Sequence, residues 1–512
     1  MTEPRGEIQP GLEEVRRLAT EHNLVAVYRC DLADTETPVA AYWRLNGDGP
    51  GFLLESVEGG ERLGRYSFIG GEPLASVTLD AGRAEIVEGG VTRQEDFDDP
   101  VELLRGVVER YRQAPPADLA ARFSGGLVGY LGYEAARYFE KLPEPAGDPL
   151  GMSDGVFFLT DNVVVFDHLL HRRTIISHAR IEPGVTVEEA YAAAAARVQE
   201  MARRLDCTDA PPGPGYGAER AGGAPEAEAW NSTADDFKAA VRRCQEYILS
   251  GDIFQVQVSR RLRVPMTAHP FYLYRVLRTV NPSPYMYYLR LPGHAGELRR
   301  GTAIVGTSPE ILVRVEDGEV EYRPIAGTRK RGRTPERDAE LEAELLTSEK
   351  ERAEHLMLVD LGRNDVGRFA EVGSVKVPEL FLVERYSAVM HLVSRVTARL
   401  ARGRTAFDAL RDCFPAGTVT GAPKIRAMEI ITEMEREARG VYAGAVGYFG
   451  FSGNLDTCIA IRTAVVKDDY AYLQAAAGVV ADSSPDEELL EVENKLAALR
   501  RAVGLAHEPR LP

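Results

Sequence analysis

The chain lacks the features that send a protein out of the cell or into a membrane. Its five cysteines (Cys30, Cys207, Cys244, Cys413, Cys458) form no CxxC pair. Their odd count and wide spacing argue against a disulfide framework and predict reduced thiols and a cytoplasmic setting. The start, MTEPRGEIQP, carries acids and no apolar core, so no secretory leader is expected. No uncharged apolar run approaches the roughly 18 residues of a membrane span. Without a leader, the acceptor pattern Asn231-Ser232-Thr233 carries no meaning as a glycosylation site. Positive charge is also short: Lys+Arg 61 against Asp+Glu 78 leaves −17. Such a surface repels phosphate backbones and anionic lipid, which argues against nucleic-acid and membrane partners. Several catalytic signatures are missing. There is no HExxH and no GxSxG, and residues 417–424 fail as a P-loop because Lys424 follows no Gly and precedes no Ser or Thr.

What is present fits a soluble globular protein: 512 residues, 44% hydrophobic and 27% charged. That length suits two large domains or about three ordinary ones. Residues 206–230 are dense in Pro, Gly and Ala and cannot bury a core. They predict an N-terminal region 1–205, a linker or loop 206–232, and a C-terminal region 233–512. In the first region, residues 39–45, 51–56, 64–69 and 156–166 read as strands, and 101–111 and 187–205 as helices. The second region opens on a helix. Thr233 and Asp236 make an approximate capping box, Phe237, Val241, Cys244, Tyr247 and Ile248 form its buried stripe, and Gly251 stops it. Residues 255–259 then alternate as a strand with one wet face. Helix and strand signals interleave irregularly beyond that point. The expectation is an α+β fold, with large antiparallel or mixed sheets flanked by helices.

Two helices carry carboxylates at matched spacing. The last helix is expected to start at Ser484, with Pro485 in its first turn and Glu487 closing the box. Leu489, Val492, Leu496 and Leu499 form its apolar stripe, while Glu488, Glu491 and Lys495 share another face at i, i+3 and i+7. A single helix over 335–359 presents Glu351 and Glu354 at i, i+3. Four carboxylates from two helices suit a hard divalent cation, Mg²⁺ above all, although solvated acidic faces use the same spacing. Three glycine-rich segments, 325–329, 415–424 and 474–478, read as tight turns or as backbone approaching something closely.

Together these segments resemble the chorismate-utilising enzymes, and among them the anthranilate synthase component I family. The resemblance rests on residues 53–56, 251–256, 281–286, 306–310, 324–328, 354–365, 389–391, 415–424, 456–462 and 474–482. It implies Mg²⁺ held by Glu354 and Glu491 with support from Glu351 and Glu488, and chorismate as substrate. The enolpyruvyl carboxylate is then expected at Arg462, Tyr442 and the amides of Ala477 and Gly478, with Thr328 and Lys495 nearby. Glu310 matches the general acid that protonates the departing ring hydroxyl, so its pKa has to be raised by burial. His391 matches a histidine assisting proton removal, and Thr418 a contact to the substrate hydroxyl. Read from the residues alone, His391 fits a core histidine in an apolar stretch.

Gln255 stands where isochorismate and salicylate synthases carry a water-activating lysine. Ala326 stands where aminodeoxychorismate synthase carries a lysine, a candidate covalent nucleophile. Both choices favour ammonia as the nucleophile and anthranilate as the product. Ala476 departs from the more common Gln-Ala-Gly-Ala-Gly. No glutaminase Cys-His-Glu site is found, so ammonia is expected from a separate glutaminase subunit that uses glutamine. Glu55, Ser56, Arg65, Pro284, Tyr285 and Met286 resemble a tryptophan feedback site. The alternatives weighed are an aminodeoxychorismate synthase component and an inactive tryptophan-binding regulatory subunit.

Overall fold

The computed structural model describes residues 6–56, 64–115, 122–213, 227–293, 301–386 and 389–508. Residues 214–226 of the expected linker lie outside them.

Neighbouring residues of one strand explain the architecture. In Gly51–Glu55, Phe52 joins the core between the sheets while Leu53 joins the core on the other face. A strand wetted on neither face reads as a continuous apolar run, which is why GVFFLT and NVVVF show no alternation. Two antiparallel sheets, one 13-stranded and one 12-stranded, pack face to face. Phe52, Phe68, Tyr287 and Ile304 of the first meet Val128, Phe158, Val446 and Tyr448 of the second. Helices cover both outer faces. Ala234–Leu249, Pro270–Val280, Lys424–Glu435 and Pro485–His507 lie on the first sheet. Pro100–Val108, Glu349–Gly367 and Ala406–Cys413 lie on the second. Among the described residues no helix is long and apolar enough to cross a membrane.

Both sheets draw strands from both sides of residues 206–232. Gly51–Glu55 pairs with Tyr285–Arg290, placing Glu55 opposite Met286. Gly126–Leu131 pairs with Ala445–Gly450. The boundary in the sequence therefore divides no sheet.

Several expectations are corrected. Residues 39–45 form a helix, Pro38–Asn46, because Thr37 caps it by accepting from the Ala40 amide and Pro38 presets its first turn. Residues 156–166 form two strands, one in each sheet, broken where the chain crosses at Asp161. The single helix over 335–359 is two, Pro335–Thr347 and Glu349–Gly367. Ser348 sits between them in extended conformation, and its hydroxyl caps the second. The last helix begins at Pro485, but Ser484 makes no side-chain cap. Thr233 and Asp236 do form a full capping box.

Candidate active site and regulatory cavity

The site is built where the chain passes between the sheets. Glu310 sits between Ala303–Ser308 of the first sheet and Ile311–Glu316 of the second. Arg462 sits at the reverse crossing, between Leu455–Ile459 and Thr463–Lys467. The crossings are laced together: Ser308 Oγ donates to Ile459 O at 2.7 Å, Ile459 N to Glu310 O at 3.0 Å, and Thr307 N to Arg462 O at 3.1 Å. Arg462 turns the chain with φ of 51°, a left-handed conformation that costs a non-glycine residue energy and clusters at functional sites.

That turn leaves a sheet edge open. Of the strand Tyr470–Val479, Thr463–Lys467 pairs with residues 470–473 alone, so, among the described residues, 474–479 have a partner on one side only, the strand Gln255–Pro265. The glycine-rich segment 474–478 is thus a strand, not a turn. On the partner strand, the amides of Gln257 and Ser259 point outward, to Thr420 O at 2.9 Å and Glu435 Oε1 at 2.7 Å. Backbone groups alternate along an antiparallel ladder. Ala477, opposite Val258, therefore spends its amide on the ladder, whereas Ala476 and Gly478 face the open edge. Lys495 Nζ accordingly donates to Ala476 O at 2.8 Å, and the Ala476 amide donates to the Tyr442 hydroxyl. Of the two amides expected at the substrate carboxylate, that of Gly478 thus faces the open edge while that of Ala477 is turned into the ladder. A Cβ at Gly478 would come within 2.8 Å of Gln255 Nε2 and Gln257 Nε2, so a larger residue there would push both side-chain amides aside.

Electrostatics show which groups gather around this edge. Burial pushes the Glu310 carboxyl up to about 8, with partial relief from the Thr418 hydroxyl, the Ile325 backbone and the Lys495 charge. The Thr418 hydroxyl, itself buried, meets no partner in good hydrogen-bonding geometry. Burial also lowers the pKa of the half-buried Arg462, while Tyr442 and Glu491 favour its charge. Among the described residues no carboxylate lies within ion-pairing distance of Arg462. His391 and Thr328 are a cross-strand pair in the second sheet, with Nδ1 3.0 Å from Thr328 Oγ1 and 3.2 Å from Gly327 O. The carbonyl can only accept, so Nδ1 carries the proton and Nε2 is the basic nitrogen. Burial, and after it the Arg462 charge, lowers the His391 pKa, while the Gly327 carbonyl and Glu384 work against the shift. The ring is therefore neutral near pH 7.

The acidic helices converge beside this group. The Glu354 pKa is raised by burial first, then by Glu351, with further contributions from Asp482 and Glu491 of the other helix region. Glu488 is raised by burial and by Glu491, and its Oε2 is buried without a hydrogen-bond partner. Glu351 is held by Arg329 at 2.8 Å and Glu491 by Lys495 at 2.6 Å. As placed, no three His, Cys, Asp or Glu side chains among the described residues are close enough together to hold a metal ion.

A family model described as chorismate binding enzyme matches residues 50–501. The chain belongs to that family. It is 45% identical to "Anthranilate synthase component 1" of Acetivibrio thermocellus, over 98% of this chain and 99% of that protein. Identity to the protein of that name in Pseudomonas putida is 46%, over 97% and 98%. The fold is similar to a crystal structure of anthranilate synthase component I from Streptococcus pneumoniae TIGR4, with TM-score 0.72, 35% identity, and coverage of 87% and 95%. The menaquinone-specific isochorismate synthase of Escherichia coli shares the fold, with TM-score 0.69 at 18% identity.

A second cavity of this chorismate-binding chain, about 640 Å³, lies between the two sheets. Its lining includes all six expected regulatory residues: Glu55, Ser56, Arg65, Pro284, Tyr285 and Met286. The buried Glu55 already has partners, Arg278 at 2.9 Å and the Tyr274 hydroxyl. Arg65 pairs with Asp167 at 2.8 Å. Ser56 Oγ is buried with no partner. The sequence reading missed Arg314 and Asp456, paired at 2.9 Å and both bonded to the Tyr285 hydroxyl at 2.8 Å. An arginine within the apolar strand ILVRVE was the available signal.

Proposed function

We propose that this chain is the aminating component of an anthranilate synthase. It joins chorismate and ammonia to give anthranilate and pyruvate, on the route to tryptophan. The ammonia comes from a separate glutaminase component, and the setting is the cytoplasm. The observation that carries the reading is a buried Glu310 carboxyl, pushed up to about 8, at one sheet crossing and Arg462, without a carboxylate partner among the described residues, at the other, in a chain 45% identical throughout to a protein named for this activity.

Arg462 takes the enolpyruvyl carboxylate through its planar fork, and the Gly478 amide and the Tyr442 hydroxyl, itself held by the Ala476 amide, complete the cradle. Glu310, neutral near pH 7, donates its proton to the ring hydroxyl, which departs as water while ammonia bonds to the ring carbon next to the one bearing the carboxylate and the two ring double bonds shift toward the carbon that lost the hydroxyl. Thr418 holds the same hydroxyl. Neutral His391 then assists removal of the ring proton through Nε2, as pyruvate leaves and the ring becomes aromatic.

The donor set of the acidic helices suits magnesium, although as placed no three of these carboxylates are close enough together to hold the ion. Glu488 Oε2 lacks a partner, and burial, then the charge of Glu351, raises Glu354, the condition a divalent cation relieves. Glu354 and Glu491 would hold the ion with support from Glu351 and Glu488. When bound, it supplies the counter-charge that a dianionic substrate needs in a chain of net charge −17. The inter-sheet cavity accepts tryptophan, with Ser56 and Glu55 toward its polar end and Pro284 and Met286 along the indole.

Purified chain given chorismate, Mg²⁺ and ammonium should form fluorescent anthranilate. Aminodeoxychorismate as product, or no turnover, overturns the reading. Glu491→Ala should abolish magnesium-dependent turnover, and full turnover in that variant refutes the assignment of the ion.

A further inference from the structure

Arg439 is the largest of the fully buried side chains, 1% exposed, and the chemistry above does not use it. Its guanidinium donates to Val419 O at 2.8 Å, one residue beyond Thr418, and to Gln257 O at 2.7 Å. It pairs with Glu435 through two bonds of 2.9 and 2.6 Å. Glu435 in turn accepts the Ser259 amide at 2.7 Å. Gln257 and Ser259 stand opposite Gly478 and Ala476, whose amides face the open edge. The Arg439–Glu435 pair thus grips the back of the strand whose neighbour forms the carboxylate cradle. The same guanidinium lies over the Tyr442 ring, 5.6 Å from its centroid, and over Tyr133 at 4.6 Å. The backbone at Arg439 is itself fixed from the other half of the chain: the Glu134 carboxylate accepts the amides of Arg439 and Gly440 at 2.8 and 2.9 Å.

Stability alone is a poor reason for this pair. Desolvating two charges offsets much of their attraction, and apolar replacements of equal volume are often neutral. What a hydrophobic residue cannot do is fix two backbone carbonyls, a carboxylate and a ring at once. Arginine does so with its rigid fork.

Resting on the functional reading above, we propose that Arg439 is a positioning residue. Without touching substrate, it sets Thr418, the Tyr442 hydroxyl and the 476–478 amides in mutual register around the substrate carboxylate. Lysine keeps the charge opposite Glu435 but reaches only one of the carbonyls.

The test is Arg439→Lys, with Glu435→Gln as a milder second variant and Val15→Ala, in the separate core of Val25, Val27 and Ala179, as a control destabilised away from the site. Anthranilate formation with ammonium should fall about 100-fold in kcat for Arg439→Lys, as expected for misplacement of about 1 Å, and by less for Glu435→Gln. Val15→Ala should keep the wild-type kcat despite a lower Tm. Crystal structures of either variant should show Thr418 or Tyr442 displaced. Unchanged kcat in both variants, an equal fall in the Val15→Ala control, or site groups left in place overturns the proposal. A wild-type chain that makes no anthranilate overturns the functional reading instead, and the variant structures still decide whether Arg439 sets the site.

Discussion

The two cavities of this molecule treat charge in opposite ways. Between the sheets, every charge discussed is already answered: Glu55 by Arg278, Arg314 by Asp456, Arg65 by Asp167. Only the neutral Ser56 hydroxyl is left over. At the crossings, charge is left open. Among the described residues Arg462 has no carboxylate partner, Glu310 keeps its proton, and Glu354 and Glu488 make no ion pair, although Glu351 and Glu491 are held by Arg329 and Lys495. A lining neutral in itself suits a zwitterion of no net charge. A lining with unpaired charge of both signs suits an anion that arrives with a cation. The difference matches the two ligands proposed above, an amino acid between the sheets and a dianionic substrate at the crossings.

Perturbing one cavity should leave the other untouched, and the largest effect is expected at Glu310. Glu310→Gln should lower kcat by about 10²- to 10⁴-fold, the usual worth of a positioned acid. Calorimetric affinity for tryptophan should not move, and a joint loss would erase the contrast. Next, Arg462→Ala should cut kcat/KM about 100-fold by leaving the substrate carboxylate unpaired, with tryptophan inhibition constants unchanged. Ser56→Leu fills the inter-sheet cavity. It should relieve tryptophan inhibition at least tenfold in steady-state assays while kcat stays at the wild-type value, and persistent inhibition would place the effector elsewhere. At constant free ammonia, the rate should fall tenfold per pH unit above about 8, where Glu310 loses its proton. A flat profile up to pH 10 would count against the proton donor. The smallest effect should come from Tyr274→Phe, which removes one bond to Glu55. It should lower stability by about 1 kcal/mol in denaturant titration and leave turnover intact.

What could be read from the sequence follows from which residues act locally. Helices with explicit caps, such as Thr233 and Asp236 at Ala234–Leu249, were legible to the residue. Pro38–Asn46 was not, because VAAYWRL alternates as a strand would and the deciding signal was the preceding Thr37-Pro38. Fully buried strands carry no period of 2, so the apolar residues on both sides read as one strand although Thr160-Asp161-Asn162 marks the break between them. The site residues emerged from linear motifs, yet the choice between the amides of Ala476 and Ala477 depends on which strand edge is vacant. That is a property of pairing across more than 200 positions and appears in no local pattern. Arg439 was invisible for the same reason, since its partners Val419, Gln257 and Glu134 come from three distant segments.

The interleaving of the two sheets has a consequence for synthesis on the ribosome. Gly51–Glu55 has its neighbour Tyr66–Gly71 early, but its other edge waits for Tyr285–Arg290. Gly126–Leu131 waits longer still, for Ala445–Gly450. Until those segments emerge, the nascent first half displays two unprotected β edges rich in aliphatic residues. Such a chain should depend on chaperone shielding until translation is nearly complete, and fragments cut anywhere in the middle should be sticky rather than folded.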